Sequence, residues 1–485
     1  MLRDRRQKDS LQKDNMERNS MERNRNGFLD SCCAADYLET LASQLRSPRA
    51  RAAVREELAA HLEDQADAYQ AMGMERDAAF AKATEQMGDP VAVGMDLDRI
   101  HRPRSGWRIL IPILLLSLLG LWAQYFFYYR FSDALLESHN FSGSPQGVFL
   151  SQCLMTLLGI GVMAVMYFLD YSNLASFSWI LGSVFFLGIL GLCRPGILPS
   201  VNGGYSYLKS LLYLFVPIYG GILSRCRGKG IGGAAACFLW MMVAFFLGVY
   251  RIGGGFGVSF DMLTICYVMF LIAIGRGWFA LPFKKLTLFT AGVLLPAMAA
   301  FAGFYRMPDY QSARIQAILH PDQFLGEQNY LMGVARTITS SLGFYGSDYQ
   351  VRMLENQLPM QRLPDVRHEY MMLQIASIGG LAVVLLFILL LACFYLFLAR
   401  MIFRQRNQAG QMIGLGCVLV LTLETFRNLF NNFGFYTMST GGLPFFTYGK
   451  CHTIMVYALL GVLLSIYRYQ DVAAPVQHPA RRYPV

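Results

Sequence analysis

The sequence predicts an all-α polytopic membrane protein with about ten transmembrane helices. A small cytoplasmic helical domain precedes them, and a large extracellular loop joins helices 7 and 8. Two observations carry this. Apolar residues make up 54% of the 485-residue chain and charged residues only 15%, and the apolar ones gather into runs long enough to cross hydrocarbon. The basic residues behind the net charge of +10 sit mainly in short turns between those runs, as the positive-inside rule places them. Such a charge describes membrane topology and contact with membrane lipids, not nucleic-acid binding. Of ten cysteines, Cys153, Cys237, Cys266, Cys393 and Cys417 lie inside apolar runs and no CxxC spacing occurs, so neither a disulfide framework nor a metal site is expected.

Residues 1–35 form a polar, mixed-charge tail with the near-repeat "NMERNSMERNRN". It lacks the apolar core of a signal peptide and reads as disordered. Residues 36–104 are soluble in composition but amphipathic. Val54, Leu58, Leu62, Ala66 and Tyr69 recur at helical spacing through "REELAAHLEDQADAYQAMG". Gly73 should end that helix, a second should run through "ERDAAFAKATEQM", and "GDP" at 88–90 should stop it. The pattern "EELAAHLEDQADAYQAMG…AFAKATEQMGDPVAVG…IHRP" resembles the permease prefix domain found ahead of bacterial membrane proteins, which implies docking or regulation.

Residues 105–470 hold ten apolar segments, near 109–129, 148–169, 173–193, 207–224, 231–250, 258–275, 286–304, 370–403, 411–435 and 452–467. Each is roughly long enough for the ~20 helical residues that a bilayer needs; 370–403 exceeds that and should tilt or project. Basic residues flank alternate ends: His101, Arg102, Arg104 and Arg108, then Arg225, Arg227 and Lys229, then Arg276, Lys284 and Lys285, then Arg400, Arg404 and Arg406. With ten spans all these turns fall inside, both termini are cytoplasmic, and 471–485 is a cytoplasmic tail. One large outside loop remains, residues 305–369, with six arginines and seven carboxylates. A loop of that length is usually functional or disordered, and its mixture of aromatic, aliphatic and charged residues does not read as disordered.

Several stretches of the membrane part are similar to motifs of the SEDS family, the FtsW/RodA/SpoVE group of bacterial ten-span proteins. "GLPFFTYG" (442–449) resembles xLPFxSYG, and "NLFNNFG" keeps two family asparagines as Asn428 and Asn432. "YQSARIQAILHP" (310–321) is similar to YQxxRIxxFLxP, "SSLGFYG" (340–346) to a Ser/Gly-rich stretch ending in GLFG, and "LPDVRHEYMM" (363–372) to LPExHTDFIF. The chain also departs from the pattern. Glu369 stands where the family has an aspartate, Gly255 replaces the aspartate of QPDxG, Ser206 replaces the arginine of NGxxRW, and Glu424 replaces a glutamine.

The resemblance implies polymerisation of peptidoglycan glycan strands from lipid II at the outer leaflet of a bacterial plasma membrane. The partners it implies are undecaprenyl-pyrophosphate-linked glycan and a class B penicillin-binding protein with transpeptidase activity. No organic cofactor is implied, and a divalent cation is compatible. Such chemistry needs a carboxylate base and cations for the departing pyrophosphate. Glu369 is the candidate base and Asp365 a supporting carboxylate. Arg314, Arg336 and Arg367 are candidate phosphate contacts, arginine being suited to bidentate phosphate binding; Asn428, Asn432 and Lys450 are candidate substrate contacts. A second reading of Glu369 is a carboxylate that favours a helix N-terminus through the macrodipole. Glu424 and Arg427, three residues apart on one helix face, read either as a structural ion pair or as part of a polar groove. At the level of the whole chain, a scaffold that kept the fold but lost its chemistry, and a lipid-linked precursor transporter, stand beside the polymerase.

Overall fold

The computed structural model describes residues 32–130, 145–194, 196–197, 205, 208–252, 256–281, 330–346, 370–435 and 441–470, with single positions at 287, 292, 316 and 320. Among these residues every element that runs for a turn or more is helical. The chain divides into two compact units, one ending at Arg104 and the other spanning Ser105–Arg468.

The first unit is a bundle of four helices: α1 (Cys32–Gln44), α2 (Pro48–Ala71), α3 (Arg76–Met87) and α4 (Pro90–His101). Its starts and stops are chemical. Ser47 and Asp89 accept backbone N–H groups at the first turns of α2 and α4, each with proline in the next position. Gly73 and Gly88, which follow α2 and α3, take φ values of 91° and 83°, a region that glycine enters without Cβ strain. Leu38, Leu41, Leu45, Val54, Leu62, Ala66, Phe80 and Ala83 form the core, and Leu58 and Tyr69 pack against it. The expected α2 stripe is therefore present, and α1 and α4 complete a core that two helices could not close.

The second unit contains α5 (Trp107–Arg130), α6 (Pro145–Phe168), the short α7 (Tyr171–Ser176), α8 (Ser178–Leu192), a 3₁₀ turn (Ser210–Leu214) leading into α9 (Phe215–Arg225), α10 (Gly230–Leu247) and α11 (Phe256–Gly275). It continues with α12 (Tyr330–Ser340), α13 (Met371–Phe403), α14 (Gln408–Asn432) and α15 (Lys450–Arg468). Among the described residues seven helices are long and apolar enough to cross a membrane, and two shorter apolar helices, Ser178–Leu192 and Ser210–Arg225, match two further segments. The seventh segment, 286–304, lies outside the described residues apart from the single positions 287 and 292.

The basic turns converge on one end of this unit. The Ser465 hydroxyl donates to the Leu169 carbonyl (2.5 Å) and accepts the Tyr171 N–H (3.1 Å). Gln405 reaches the Tyr171 hydroxyl at 3.3 Å, Arg276 donates to Gln411 at 2.6 Å, and Arg225 donates to the Ser176 carbonyl. Arg468 lies over the Tyr167 and Phe168 rings at 4.8 and 4.9 Å, and the Gly106 N–H meets the Tyr167 hydroxyl. Amphipathic rings and long cationic chains gathered in this way are what a membrane–water boundary favours.

The segment at 370–403 is not one tilted rod. α13 breaks at Gly380, where φ is 70° and ψ is −170°. The amides freed by the break find partners in the 341–346 loop: Leu381 N–H donates to the Gly343 carbonyl and Ala382 N–H to the Phe344 carbonyl, both at 3.0 Å. A Cβ at 380 would come within 2.5 Å of the Gly346 nitrogen. The glycines of "SSLGFYG" and of "IGG" (378–380) thus serve one close backbone approach. Replacing Gly380 with alanine should destabilise the protein by about 1–3 kcal/mol, the cost of a disfavoured backbone region. The check is thermal unfolding in detergent beside Gly188→Ala, where nothing lies within 4 Å of the added Cβ.

Candidate functional site

The end of the unit opposite the basic turns holds its polar interior. α14 is the organising helix. Unlike the lipid-facing spans it buries Glu424, Thr425, Arg427, Asn428, Asn431 and Asn432 along one side. Glu424 lies eight residues before the helix end, about 12 Å at 1.5 Å per residue, so its carboxylate is well inside the apolar layer.

Charges at that depth require partners, and the helix–helix contacts supply them. Arg427 pairs with Asp261 of α11 and also lies 3.6 Å from Glu424 Oε1. Tyr213, in the 3₁₀ turn before α9, donates its hydroxyl to Asp261 Oδ2 at 3.2 Å. The other oxygen of Glu424 is 2.8 Å from Nε2 of His452 on α15; with the carboxylate as acceptor, the imidazole carries its N–H on Nε2. Glu424 and Arg427 are therefore not an isolated i,i+3 pair. They are the centre of a network that joins α11, α14, α15 and the 3₁₀ turn. Sequence reasoning missed Asp261, His452 and Tyr213: a lone carboxylate or imidazole in or beside an apolar run is a faint mark of a buried polar site, and the tyrosine carries none.

The asparagines continue the network toward the helix end. Asn428 Nδ2 donates to the Gly441 carbonyl at 2.6 Å. Asn432 Oδ1 accepts the Leu373 N–H of α13 at 2.9 Å, and Asn432 Nδ2 donates to the Asn428 carbonyl at 2.8 Å. Both side chains are almost fully buried, and their bonds hold backbone in place. Arg336 of α12 donates from Nε to the Gly434 carbonyl at 3.0 Å, beside a residue whose φ of 75° and lack of Cβ let the arginine stem pack close.

The 441–449 stretch is a compact turn. Phe446 and Thr447 N–H groups return to the Leu443 carbonyl at 3.1 and 3.0 Å, and the Thr447 hydroxyl accepts the Leu443 N–H at 2.6 Å. Phe445 sits at a φ of 72°, unusual for a residue with a bulky side chain. Gln124 of α5 donates to the Phe446 carbonyl at 2.8 Å, and a Cβ at Gly442 would overlap the His452 ring. Lys450 opens α15 and is exposed. A cation there opposes the helix macrodipole and makes no hydrogen bond or ion pair within the network.

Of the sequence-identified residues, the structure brings together Arg336, Asn428 and Asn432, with Glu424 and Arg427 directly beneath them. Glu369, Asp365, Arg314 and Arg367 lie outside the described residues. Tyr370, the neighbour of Glu369, is buried at the start of α13, three residues from the Leu373–Asn432 bond. Among the described residues no group of three or more His, Cys, Asp or Glu side chains could hold a metal, and Asp261 and Glu424 are committed to Arg427.

The sequence model of the FtsW/RodA/SpoVE cell cycle protein family matches residues 225–472, which include α14, the 441–449 turn, the partner of Arg427 on α11 and the partner of Glu424 on α15. The chain belongs to this family. Among its relatives, a probable peptidoglycan glycosyltransferase FtsW of Thioalkalivibrio sulfidiphilus is 26% identical over 354 residues, covering 69% of this chain and 84% of the relative. One from Aromatoleum aromaticum is 24% identical over 79% of this chain and 94% of its own. The peptidoglycan glycosyltransferase MrdB of Escherichia coli K12 is 25% identical over 42% of this chain and 54% of its own. A chain from a solved peptidoglycan synthase complex aligns over 75% of this chain and 97% of itself, with a TM-score of 0.55 and 17% identity. This likeness shows a shared fold over three-quarters of the chain.

The network makes a stability prediction. Arg427→Met leaves Asp261 and Glu424 buried without their cation, and removing one partner of a buried pair costs about 3–5 kcal/mol. The triple change Asp261→Asn, Glu424→Gln, Arg427→Met should recover most of that loss. Chemical unfolding in mixed micelles checks both; equal loss in single and triple variants would show that packing, not charge, fixes these helices.

Proposed function

We propose that the chain is a peptidoglycan glycosyltransferase that polymerises lipid II at the outer leaflet of a bacterial plasma membrane. The observation that carries the reading is the buried polar seam at the non-basic end of α14, in a chain aligned with named glycosyltransferases over 84% and 94% of their lengths. By the positive-inside rule the basic end is cytoplasmic and the seam lies toward the outer surface, where a substrate carrying a translocated headgroup resides. Both termini are then cytoplasmic.

In the reaction a sugar 4-hydroxyl attacks the anomeric carbon of the lipid-linked strand. A C–O bond forms at that carbon while its bond to the pyrophosphate oxygen breaks, with inversion. Glu369 takes the hydroxyl proton, and Asp365 supports its charge. Arg336, Arg314 and Arg367 receive the developing pyrophosphate charge. Glutamate in place of the family's aspartate retains the base with one more methylene of reach. The seam formed by Asn428, Asn432 and Arg336 positions the backbone of α13, Gly434 and Gly441 around that chemistry. A class B penicillin-binding protein is the proposed partner, since the solved neighbour comes from a complex that couples polymerisation to crosslinking.

The substitutions at Gly255 and Ser206 favour a second reading, a scaffold that retains the fold without turnover. One assay separates them: labelled lipid II with purified full-length protein, alone and with transpeptidase partners. Wild type should form glycan strands, and Glu369→Ala should slow formation by about 100-fold or more, the usual worth of a general base. No strands from wild type, under conditions where an established family member forms them, would select the scaffold.

A further inference from the structure

The turn between α9 and α10 carries Arg225, Arg227 and Lys229, and the turn after α11 carries Arg276; all four side chains are exposed. From residue 171 to residue 308 the sequence holds ten basic residues and a single carboxylate, Asp261, which is already paired with Arg427. Among the described residues no carboxylate neutralises the four cations. The positive-inside rule accounts for their presence at this end of the unit. It does not account for where each one is held.

Contacts hold them in two groups, one on each side of a single turn. The Gly228 N–H donates to the Trp278 carbonyl at 2.7 Å, which fastens the 225–229 turn to the residues that follow α11. On that side Arg227 lies over the Trp278 ring, 6.0 Å from its centroid, and Arg276 donates to Gln411 of α14 at 2.6 Å. On the other side, at the α7–α8 junction, Arg225 donates to the Ser176 carbonyl and Lys229 lies over the Trp179 ring at 5.9 Å. Rings and neutral oxygens orient a cation without cancelling its charge. The turn itself is open, since a Cβ on Gly228, Gly230 or Gly232 would meet no atom within 4 Å. Ile180, next to Trp179, and Ile231, two residues after Lys229, add exposed aliphatic surface.

A ligand matched to this surface carries two anionic groups and, beside them, apolar chains. A soluble anion meets the first condition only. A phospholipid with two phosphates meets both, and basic sites between helix ends bind such headgroups. We propose that the basic ends of α8, α9, α10 and α11 form a binding site for a phospholipid of the cardiolipin type, with Arg225 and Lys229 receiving one phosphate and Arg227 and Arg276 the other. The site is independent of the polymerase reading, because none of these residues takes part in the proposed chemistry.

Native mass spectrometry of the full-length protein, titrated with lipid in detergent, tests this. Wild type should bind one cardiolipin about 10-fold more tightly than phosphatidylglycerol, which brings a single phosphate. Arg227→Gln with Lys229→Gln takes one cation from each group and should weaken cardiolipin about 30-fold, each basic side chain near the headgroup being worth about fivefold. Arg76→Gln with Lys82→Gln removes the same charge from exposed positions on α3 and should leave the affinity unchanged. Arg227→Lys with Lys229→Arg keeps both charges and should retain most of the affinity, which a merely misfolded turn would not. Equal weakening by the α3 pair, or equal affinity of wild type for the two lipids, overturns the proposal. Displacement of cardiolipin by equimolar inorganic pyrophosphate overturns it as well, and makes the site one for a soluble anion.

Discussion

The structure depends on one constraint: a guanidinium inside the apolar layer has to be neutralised where it stands. Arg427 is placed there by its own helix, so Asp261 must come to it from α11 and Glu424 from one turn earlier. Glu424 in turn draws His452 on α15. Three separate pieces of chain are fixed relative to one another by that requirement. Apolar packing alone specifies helix pairs weakly in lipid, where the surrounding solvent is as apolar as the contact. The directional contacts between charges select one arrangement among many that van der Waals packing would tolerate.

The seam above the network inherits this order. With α14 held against α11 and α15, Asn428 reaches the Gly441 carbonyl and Asn432 reaches the Leu373 amide. Those bonds position the 441–449 turn and the first turn of α13. The break at Gly380 then lets the 341–346 loop close on α13 by two backbone bonds. Rigid positioning of this kind is what a glycosyl transfer between two bulky lipid-tethered substrates demands, because misplacement by ~1 Å can cost ~100-fold in rate.

Much of this was legible in the residues. The apolar runs located nine of the helices that the structure describes, and the basic turns anticipated which helix ends would meet. "GLPFFTYG" and "NLFNNFG" pointed to the right corner of the molecule, and Glu424 with Arg427 marked its charged interior. Asp261 was hidden because a single carboxylate barely lowers the hydropathy of the run 258–275, and its partner lies 166 positions away. The break at Gly380 was hidden because a glycine pair inside an apolar helix looks the same whether or not a loop approaches it. The bonds of Asn428 and Asn432 to backbone were hidden because residue type does not tell a ligand-facing amide from one bound to backbone.

The central claim is that the lipid-linked substrate engages the polar, non-basic end of α14. Photo-crosslinking tests this most directly. A benzoylphenylalanine is placed at Phe435, exposed beside the seam, or at Phe177, exposed at the basic end, in the full-length protein in proteoliposomes carrying labelled lipid II. The account predicts a lipid II adduct at position 435 and none at 177. Crosslinking at 177 without crosslinking at 435 would contradict it and place the substrate on the opposite face of the membrane.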